Sequence, residues 1–482
     1  MTDPALRTLA LRTLLASFPG TSAPDWAREL LEDGLAGYVL FGYNVIDSDQ
    51  LHRLVSQLRD TRGDAIVGID EEGGDVTRLA HADGSRYPGN AALGAVDDPA
   101  LTRRVHHAIG AELRRLGIGL NLAPSVDVNT SHENPIIGTR SFGQHPARVA
   151  RHAAAAVRGL RDAGVAACAK HFPGHGATAT DSHTELPTVD VPLELLRKRE
   201  LAPFAAVIAA GVPAIMTAHI RVPELTGDDP ATLSRRVLTG LLRDELGFAG
   251  AVITDALEMR GACGTIGIPE AAVRSLAAGA DLLCIGAEVD APLVDAVASA
   301  IVAAVTEGRL AADRLEQAAE RTAVLAALPD PVGKPDLDPD LGNAAARRAL
   351  RIEGTLPTLR RPLVVQVDAP ATIAAGATPW GLPLNGAELI RIMPAETGNG
   401  TDPGWLLTVA GDRPIVVVSR DTHRHPYARR LVERLASGHP DVVLVEMGWP
   451  APWRPVGLRA YVATYGAGRA NAQAAADALL YA

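Results

Sequence analysis

The sequence predicts an α/β protein in which an N-terminal (β/α)8 barrel of the TIM type is followed by a smaller α/β domain with a mostly parallel sheet. Short runs that are apolar at every position recur along the chain, and a longer amphipathic stretch follows each run. Such runs are typical of strands buried on both faces of a parallel sheet. Seven or eight strand–helix repeats within about 330 residues favour a closed barrel over an open sheet.

The individual elements can be placed along the chain. Predicted barrel strands are GYVLF (37–41), AIVGID (65–70), IGLNLAP (118–124), VAACAKHF (165–172), VPAIMTAHI (212–220), GAVITDAL (250–257) and DLLCIG (281–286). Predicted helices between them include residues 100–117, 193–211 and 293–308. The N-terminal stretch, with leucines at positions 6, 9, 14 and 15, is predicted to form one amphipathic helix.

A Pro- and Asp-rich stretch at residues 328–342 lacks apolar periodicity and is predicted to be a linker. We therefore expect a barrel domain at 1–335 and a linker plus second domain at 336–482. Apolar runs at 362–367, 414–419, 441–448 and 459–466 predict the second sheet, and 427–438 predicts a helix. Residues 466–480 contain glycines but no later acidic ribose partner, which favours an ordinary strand-to-helix turn over a dinucleotide site.

Composition limits the classes of partner. The 482 residues are 47% apolar and 21% charged, with a formal net charge of −10, and no long run of like charge occurs. A nucleic-acid or anionic-membrane surface is therefore disfavoured, and no stretch is long and apolar enough to span a bilayer. The three cysteines, Cys168, Cys263 and Cys284, lie in or beside apolar runs, so buried free thiols are expected rather than disulfides. We expect a cytoplasmic monomer.

Polar residues stand where several predicted strands end: Asp70, Lys170 with His171, His219 and Asp255. In a TIM barrel the carboxyl ends of the strands and the loops after them form the active site. Any one of these residues could simply mark the end of a strand. Together they predict a polar mouth at one end of the barrel.

The segment KHFPGHGATATDSHTELP (170–187) poses a choice between metal binding and proton transfer. His171 and His175 have helical spacing, but the proline and glycines around them disfavour a helix. An irregular metal site formed by Asp181, His183 and His219 stays open. Proton transfer fits better, because a carboxylate one residue away from an imidazole can fix its tautomer and stabilise its charged form.

A carboxylate opposite such a proton donor is the arrangement of a retaining glycosidase. Asp255, at the predicted end of GAVITD, can supply that carboxylate, while Asp181 and His183 form the acid/base dyad. Considered singly, Asp181 could equally cap a turn, and Asp255 could pair with an arginine.

Further motifs accompany KHFPGHG and DSH, namely IDEEGGDVTR (69–78), APSVDVN (123–129), NPIIGTRSFG (134–143), IMTAHI (215–220), ATLS (231–234) and LLRDELGFAGAVITDALEMRGA (241–262). In this order, residues 38–285 resemble glycoside hydrolase family 3. More narrowly, they are similar to its β-N-acetylglucosaminidases, which trim cell-wall fragments during peptidoglycan recycling. Residues 336–482 resemble the second α/β domain of the family more loosely.

The resemblance implies a retaining exo-β-N-acetylglucosaminidase that acts on small carbohydrates and needs neither a cofactor nor a metal. It assigns Asp255 as nucleophile and His183 as acid/base, supported by Asp181. It also implies that four residues hold the hydroxyls of the terminal sugar: Asp70, Arg140, Lys170 and His171.

One position departs from the pattern of the family: IDEEGGDVTR has Asp75 where the family usually has arginine, which leaves the aglycone preference open. A histidine in place of a second carboxylate also leaves phosphorolysis open, because it does not repel phosphate. The alternatives are a family 3 phosphorylase, a β-glucosidase, a catalytically silent sugar-binding protein and a metal hydrolase.

Overall fold

The computed structural model describes residues 4–178, 180, 185–327, 330–333, 338–370, 372–376, 378–384, 386–393 and 402–480. Two compact units make up the chain. The barrel unit comprises Met1–Glu72, Pro99–Ile137 and Gly143–Leu337, and the second unit comprises Gly73–Asp98, Gly138–Phe142 and Asp338–Ala482. The sequence pattern did not predict that the two internal segments belong to the second unit. The expected boundary between residues 335 and 336 lies outside the described residues and stays a prediction.

Eight parallel strands form the barrel. They are β1 (Leu14–Ala16), β2 (Gly37–Leu40), β3 (Ile66–Ile69), β4 (Leu120–Asn121), β5 (Ala166–Phe172), β6 (Ala214–Thr217), β7 (Ala251–Thr254) and β8 (Leu283–Cys284). The sheet runs from β7 down to β1 and on to β8. A parallel bridge between Ile253 and Leu282 joins the two ends of this sheet into a ring. The predicted (β/α)8 barrel is confirmed.

The α-helices of both units follow in chain order. They are α1 (Pro4–Leu11), α2 (Asp25–Asp33), α3 (Ser48–Thr61), α4 (Asn90–Val96), α5 (Pro99–Arg115), α6 (Pro146–Asp162), α7 (Leu193–Arg199), α8 (Leu201–Ala209), α9 (Pro223–Thr226), α10 (Arg260–Cys263), α11 (Ile268–Ala278), α12 (Ala291–Thr306), α13 (Ala312–Ala326), α14 (Leu341–Ala349), α15 (Trp405–Ala410), α16 (Pro426–Gly438) and α17 (Arg469–Leu480). Shorter 3₁₀ segments are Gly42–Asn44, Gly138–Arg140, Ala231–Leu233 and Thr422–Arg424, and Arg236–Glu245 is a π-helix.

The prediction of one continuous N-terminal helix is wrong. Helix α1 ends at Leu11, and Leu14 and Leu15 belong to strand β1. Local periodicity cannot distinguish a three-residue strand from one more helical turn. Backbone pairing with both β2 and β8 selects the strand, because without it the barrel would stay open between them.

Apolar residues fill the inside of the barrel, as continuous apolar runs require. The buried cluster includes Leu15, Val39, Leu120, Leu122, Cys168, Met216, Ile253 and Cys284. These side chains come from β1, β2, β4, β5, β6, β7 and β8 or the residues just after them. The interior is therefore packed along its length, which leaves the carboxyl ends of the strands as the place for polar chemistry.

The second unit contains a six-stranded sheet in the order β11-β10-β12-β13-β14-β9. Its strands are β9 (Arg351–Gly354), β10 (Leu363–Val367), β11 (Glu388–Ile392), β12 (Ile415–Ser419), β13 (Val442–Glu446) and β14 (Ala460–Ala463). Strand β9 is antiparallel to β14, and the other pairs are parallel. The predicted mostly parallel sheet is confirmed. The edge strands β9 and β11 escaped prediction because both are short, contain charged residues and are largely exposed.

Two further expectations can be compared with the structure. The three cysteines are free thiols: Cys168 and Cys284 are buried, whereas Cys263 is partly exposed, so burial was predicted wrongly only for Cys263. Among the helices that the structure describes, none combines the length and apolar character needed to cross a bilayer.

Candidate active site

Three ionisable side chains meet where β3 and β5 end. Lys170 Nζ lies 2.6 Å from Asp70 Oδ1 and 2.8 Å from Glu72 Oε1. The side chains of Lys170 and Glu72 are each only 3% exposed, whereas that of Asp70 is 17% exposed. Two carboxylates beside one buried ammonium compensate its loss of hydration. Asp70 therefore keeps the more open position, from which it can reach a ligand.

A second network joins the end of β5 to the loop after β4. Asp127 Oδ2 lies 2.7 Å from Nδ1 of His171, and Asp127 Oδ1 accepts the backbone N–H of His175 at 2.6 Å. Burial alone would raise the pKa of Asp127, but the charge and hydrogen bonds of His171 and the His175 amide bring it below its usual value. The hydrogen bond between Nδ1 and this carboxylate fixes the tautomer and the orientation of the His171 ring.

A β-bulge occurs at Lys170 and His171. The pairing of β5 with β6 is regular at Ala169 and Ile215, and it resumes at Phe172 and Thr217 with one extra residue in β5. The two residues between are Lys170 and His171, so the strand bends where they occur. Bulges of this kind redirect side chains next to functional sites.

The PGHG turn after β5 depends on close backbone approach. A Cβ on Gly176 would stand 2.0 Å from the carbonyl oxygen of Val128, and one on Gly174 would stand 2.6 Å from Cβ of Glu200. His175 itself is buried, and its Nδ1 lies 2.7 Å from Thr178 Oγ1. Burial, and then the neighbouring His171, lower the pKa of His175 to about 4. The glycines thus allow the loop to pack on the barrel, and His175 serves as an internal contact of that loop.

Asp255 directly follows β7 and lies at the same end of the barrel. Its backbone N–H donates to the Thr217 carbonyl at 3.3 Å, and its Oδ1 accepts the N–H of Ala256 at 2.8 Å. The carboxylate is partly exposed. Burial raises the pKa of the thiols Cys168 and Cys284, and the nearby Asp255 carboxylate adds to that shift.

His219 holds the loop that carries Asp255. It is fully buried, its Nδ1 lies 2.8 Å from Thr232 Oγ1, and its Nε2 lies 3.0 Å from the carbonyl oxygen of Ala256. Thr232 belongs to the ATLS motif and also lies 2.6 Å from Thr217 Oγ1. The strand-end histidine therefore contacts the residue next to Asp255 and supports its position.

The contacts described above do not include three of the predicted residues, Arg140, Asp181 and His183. Arg140 belongs to the second unit, where it ends the 3₁₀ segment Gly138–Arg140, is buried, and accepts a hydrogen bond from Asn90 on its carbonyl oxygen. Asp181 and His183 lie outside the described residues. In the described part of the chain, no group of three or more His, Cys, Asp or Glu side chains is placed to hold a metal ion.

The sequence interpretation assigned no role to two residues of these networks, Glu72 and Asp127. Both stand in motifs that were recognised, IDEEGGDVTR and APSVDVN. Asp127 lies in the loop after β4, six residues beyond its end, and a carboxylate in a loop that follows a barrel strand was the signal that could have identified it. Glu72 carried no comparable signal, since its pairing depends on a lysine 98 positions away in β5.

A parallel barrel with these ionisable side chains at the carboxyl ends of its strands is the architecture of a TIM-barrel enzyme. Residues 14–325 match the family described as the glycosyl hydrolase family 3 N terminal domain, and the chain therefore belongs to that family of glycoside hydrolases.

Individual relatives agree with this membership. Beta-hexosaminidase A of Pseudoalteromonas piscicida is 36% identical over 283 residues, which are 54% of this chain and 47% of that protein. The match thus spans about half the length of that relative. The beta-hexosaminidase of Thiobacillus denitrificans is also 36% identical over 283 residues, covering 57% of this chain and 78% of that protein.

Among solved structures, a glycoside hydrolase family 3 beta-N-acetylglucosaminidase from a Paenibacillus species is similar over nearly the whole chain. The TM-score is 0.87 at 33% sequence identity, with 99% of this chain and 96% of that chain covered. The similarity in fold therefore includes both units and extends beyond the family domain.

Proposed function

We propose that this protein is a retaining exo-β-N-acetylglucosaminidase that removes terminal N-acetylglucosamine from β-glycosides such as cell-wall muropeptide fragments. The observation that carries the proposal is Asp255, a partly exposed carboxylate at the end of β7, at the barrel mouth that also holds the Asp70–Lys170 and Asp127–His171 pairs. The names of the relatives, beta-hexosaminidase and beta-N-acetylglucosaminidase, support the choice of sugar.

In the proposed reaction, Asp255 attacks the anomeric carbon while the bond to the leaving oxygen breaks. His183, supported by Asp181, gives its proton to that oxygen. Water then attacks the glycosyl-enzyme, His183 takes the proton from the water, and the Asp255 carboxylate is released. The roles of Asp181 and His183 are supported by the DSH motif alone.

In the same proposal, Asp70, Lys170, His171 and Arg140 hold the hydroxyls of the terminal sugar. Fixed charges and hydrogen-bond partners orient the ring before reaction, so that less entropy is lost at the transition state. The three barrel residues among them are each fixed by a neighbouring ionisable group or packing contact, as an orienting site requires.

The decisive experiment measures release of the aryl group from an aryl β-N-acetylglucosaminide. Asp255→Ala should lower kcat by at least about a thousandfold, because the group that forms the covalent bond is gone. Azide should restore turnover by replacing the carboxylate and should yield the α-glycosyl azide. The control is Asp228→Asn, since the Asp228 side chain is 101% exposed and pairs with Arg221, which has no proposed role in the reaction. Full activity of Asp255→Ala would refute the proposal.

The same assay separates the alternatives. Run in phosphate, a phosphorylase gives N-acetylglucosamine 1-phosphate, whereas a hydrolase gives the free sugar. Faster turnover of an aryl glucoside would indicate a β-glucosidase. Binding without turnover of any glycoside would indicate a sugar-binding protein, and loss of activity after chelation would indicate a metal hydrolase.

The acid/base role has its own measurement. His183→Ala should slow substrates with poor leaving groups much more than those with activated aryl leaving groups, since only the former need a proton. An equal loss on both substrates would contradict the assignment. A monomeric state and a cytoplasmic location are further parts of the proposal, and size-exclusion chromatography and cell fractionation test them.

A further inference from the structure

The loop after β2 is held rigidly at the barrel mouth. Asn44 is fully buried; its Oδ1 accepts the backbone N–H of Phe41, and its Nδ2 donates to the carbonyl oxygens of Phe18 and Gly20. The bond to Phe41 closes the 3₁₀ turn Gly42–Asn44, and the two bonds to Phe18 and Gly20 attach this turn to the loop after β1. The residue in the middle of this turn, Tyr43, therefore has a defined position.

The tyrosine side chain is fixed at both its ring and its hydroxyl. Its ring stacks on Phe41 with centroids 5.4 Å apart and an interplanar angle of 17°. Its hydroxyl donates to the carbonyl oxygen of Ala287 at 2.5 Å, and Ser17 Oγ donates to the same oxygen at 2.8 Å. Burial of the hydroxyl, aided by the nearby carboxylate Glu258, raises the pKa of Tyr43 to about 12. The phenol therefore stays neutral and keeps its hydrogen bond.

These contacts place Tyr43 on the Asp255 side of the mouth. Two hydrogen bonds join the loops after β7 and β8. The N–H of Ala287 donates to Glu258 Oε1 at 2.7 Å, and the N–H of Glu258 donates to the carbonyl oxygen of Ile285 at 3.2 Å. Glu258 is three residues after Asp255, and Ala287 accepts the Tyr43 hydroxyl. One continuous set of hydrogen bonds thus links the tyrosine to the segment that begins with Asp255.

The ionisable residues of the mouth and Tyr43 lie on different arcs of the ring of strands. Asp70, Asp127, Lys170 and His171 follow or end β3, β4 and β5, whereas Tyr43 follows β2 and contacts the loops after β1 and β8. The first group is ionisable and suits the hydroxyls of the terminal sugar. The arc from β8 through β1 to β2 instead presents Tyr43, which is 45% exposed, and Ile46, which is 65% exposed.

We infer that the exposed face of Tyr43, backed by Phe41, binds the leaving sugar of the substrate. A pyranose ring has a face of C–H groups that packs on an aromatic ring, and a preorganised ring loses little entropy on binding. This inference rests on the proposed function and assigns Tyr43 to recognition of the aglycone, outside the chemistry.

The test compares two substrates with the same terminal sugar. The leaving group of N,N′-diacetylchitobiose is N-acetylglucosamine, which is a pyranose. The leaving group of N-acetyl-β-glucosaminyl fluoride is fluoride ion, which has no ring. Tyr43→Leu should lower kcat/KM for the disaccharide about tenfold, the effect of one aromatic contact, and leave the fluoride within about twofold. Tyr43→Phe keeps the ring and should retain most of the disaccharide activity.

The outcomes are distinct. An equal loss on both substrates in Tyr43→Leu, or no loss on either, would overturn the inference, since neither pattern depends on an aglycone ring. Thermal unfolding of each variant shows whether the fold is retained. A variant that does not fold loses activity on both substrates and therefore counts as an equal loss. Failure of the wild-type protein to release N-acetylglucosamine from both substrates would overturn the proposed function, and the aglycone site with it.

Discussion

Asp127 Oδ2 lies 2.7 Å from Nδ1 of His171, and both side chains are buried. The same carboxylate also accepts the backbone N–H groups of His171 and His175 and the hydroxyl of Ser125. One acid thereby fixes the end of β5, the following turn and the orientation of a proposed sugar-binding imidazole. Its contribution to both stability and binding can be measured.

Asp127→Ala should lower the free energy of unfolding by at least about 3 kcal/mol, because several buried donors lose their acceptor at about 1–3 kcal/mol each. Urea denaturation gives this value. The matched control is Ser125→Ala, which removes a single 3.0 Å hydrogen bond to the same carboxylate and should cost about 1 kcal/mol. Similar losses in the two variants would contradict the organising role of Asp127.

Lys170 and Glu72 should behave as a coupled pair. Lys170→Met leaves Asp70 and Glu72 without their shared ammonium, and breaking a buried pair in this way costs about 3–5 kcal/mol. Glu72→Gln added to Lys170→Met should recover part of that loss, because the remaining carboxylate then has no like charge beside it. A double-mutant cycle by chemical denaturation measures the coupling, and strictly additive losses would argue against it.

Asp75, which occupies the position where the family usually has arginine, forms a structural centre of the second unit. It is buried; its Oδ1 accepts the N–H of Ala467 at 2.6 Å, and its Oδ2 accepts from Thr139 at 2.7 Å and from Arg420 at 3.2 Å. The guanidinium of Arg420 also lies over the ring of Trp380, 5.6 Å from its centroid. Asp75 thus forms an ion pair with Arg420, which directly follows β12.

Asp75→Arg should therefore destabilise the protein by about 3–5 kcal/mol, because it sets two guanidinium groups side by side in a buried position. The charge swap Asp75→Arg with Arg420→Asp should recover more than about 1 kcal/mol of that loss. Recovery stays incomplete, since Ala467 and Thr139 lose their acceptor. Equal stability of Asp75→Arg and the charge-swapped protein, measured by denaturant unfolding, would show that the ion pair carries none of this effect.

Two buried histidines predict a loss of stability in mild acid. Burial lowers the pKa of His106 and of His175 from the ordinary 6.5 to about 4. Between these values the unfolded chain binds protons that the folded chain does not, so the free energy of unfolding falls as the pH is lowered from about 6.5 to 4. Above about pH 7 these two groups add no pH dependence.

His106→Leu tests one part of this effect, because His106 lies in helix α5 and is not one of the candidate site residues. The variant should show a shallower fall in unfolding free energy between about pH 6.5 and 4 than the wild-type protein. Denaturant titrations at several pH values measure both slopes. Identical slopes would mean that His106 is already charged or accessible in the folded protein.

Much of the fold was predictable because long elements repeat a strong pattern. Strands such as β5 and β12 are buried throughout and mostly apolar, and helices such as α5 and α16 are amphipathic over many residues. The errors concern short or polar elements. Strand β1 has three residues, and the edge strands β9 and β11 carry exposed polar side chains, so pairing with a neighbour and not the local pattern decides their conformation.

The sequence by itself determined the family, the barrel class and the identity of most candidate residues, because motif order and hydrophobic period are properties of the chain alone. Only the tertiary structure decided how those residues pair. Lys170 contacts Asp70 and Glu72, His171 contacts Asp127, Asp75 contacts Arg420, and Tyr43 contacts Ala287. The members of each pair are far apart in sequence, and packing of parallel strands brings their ends together. The free energy of burying charges and donors together then selects each partner.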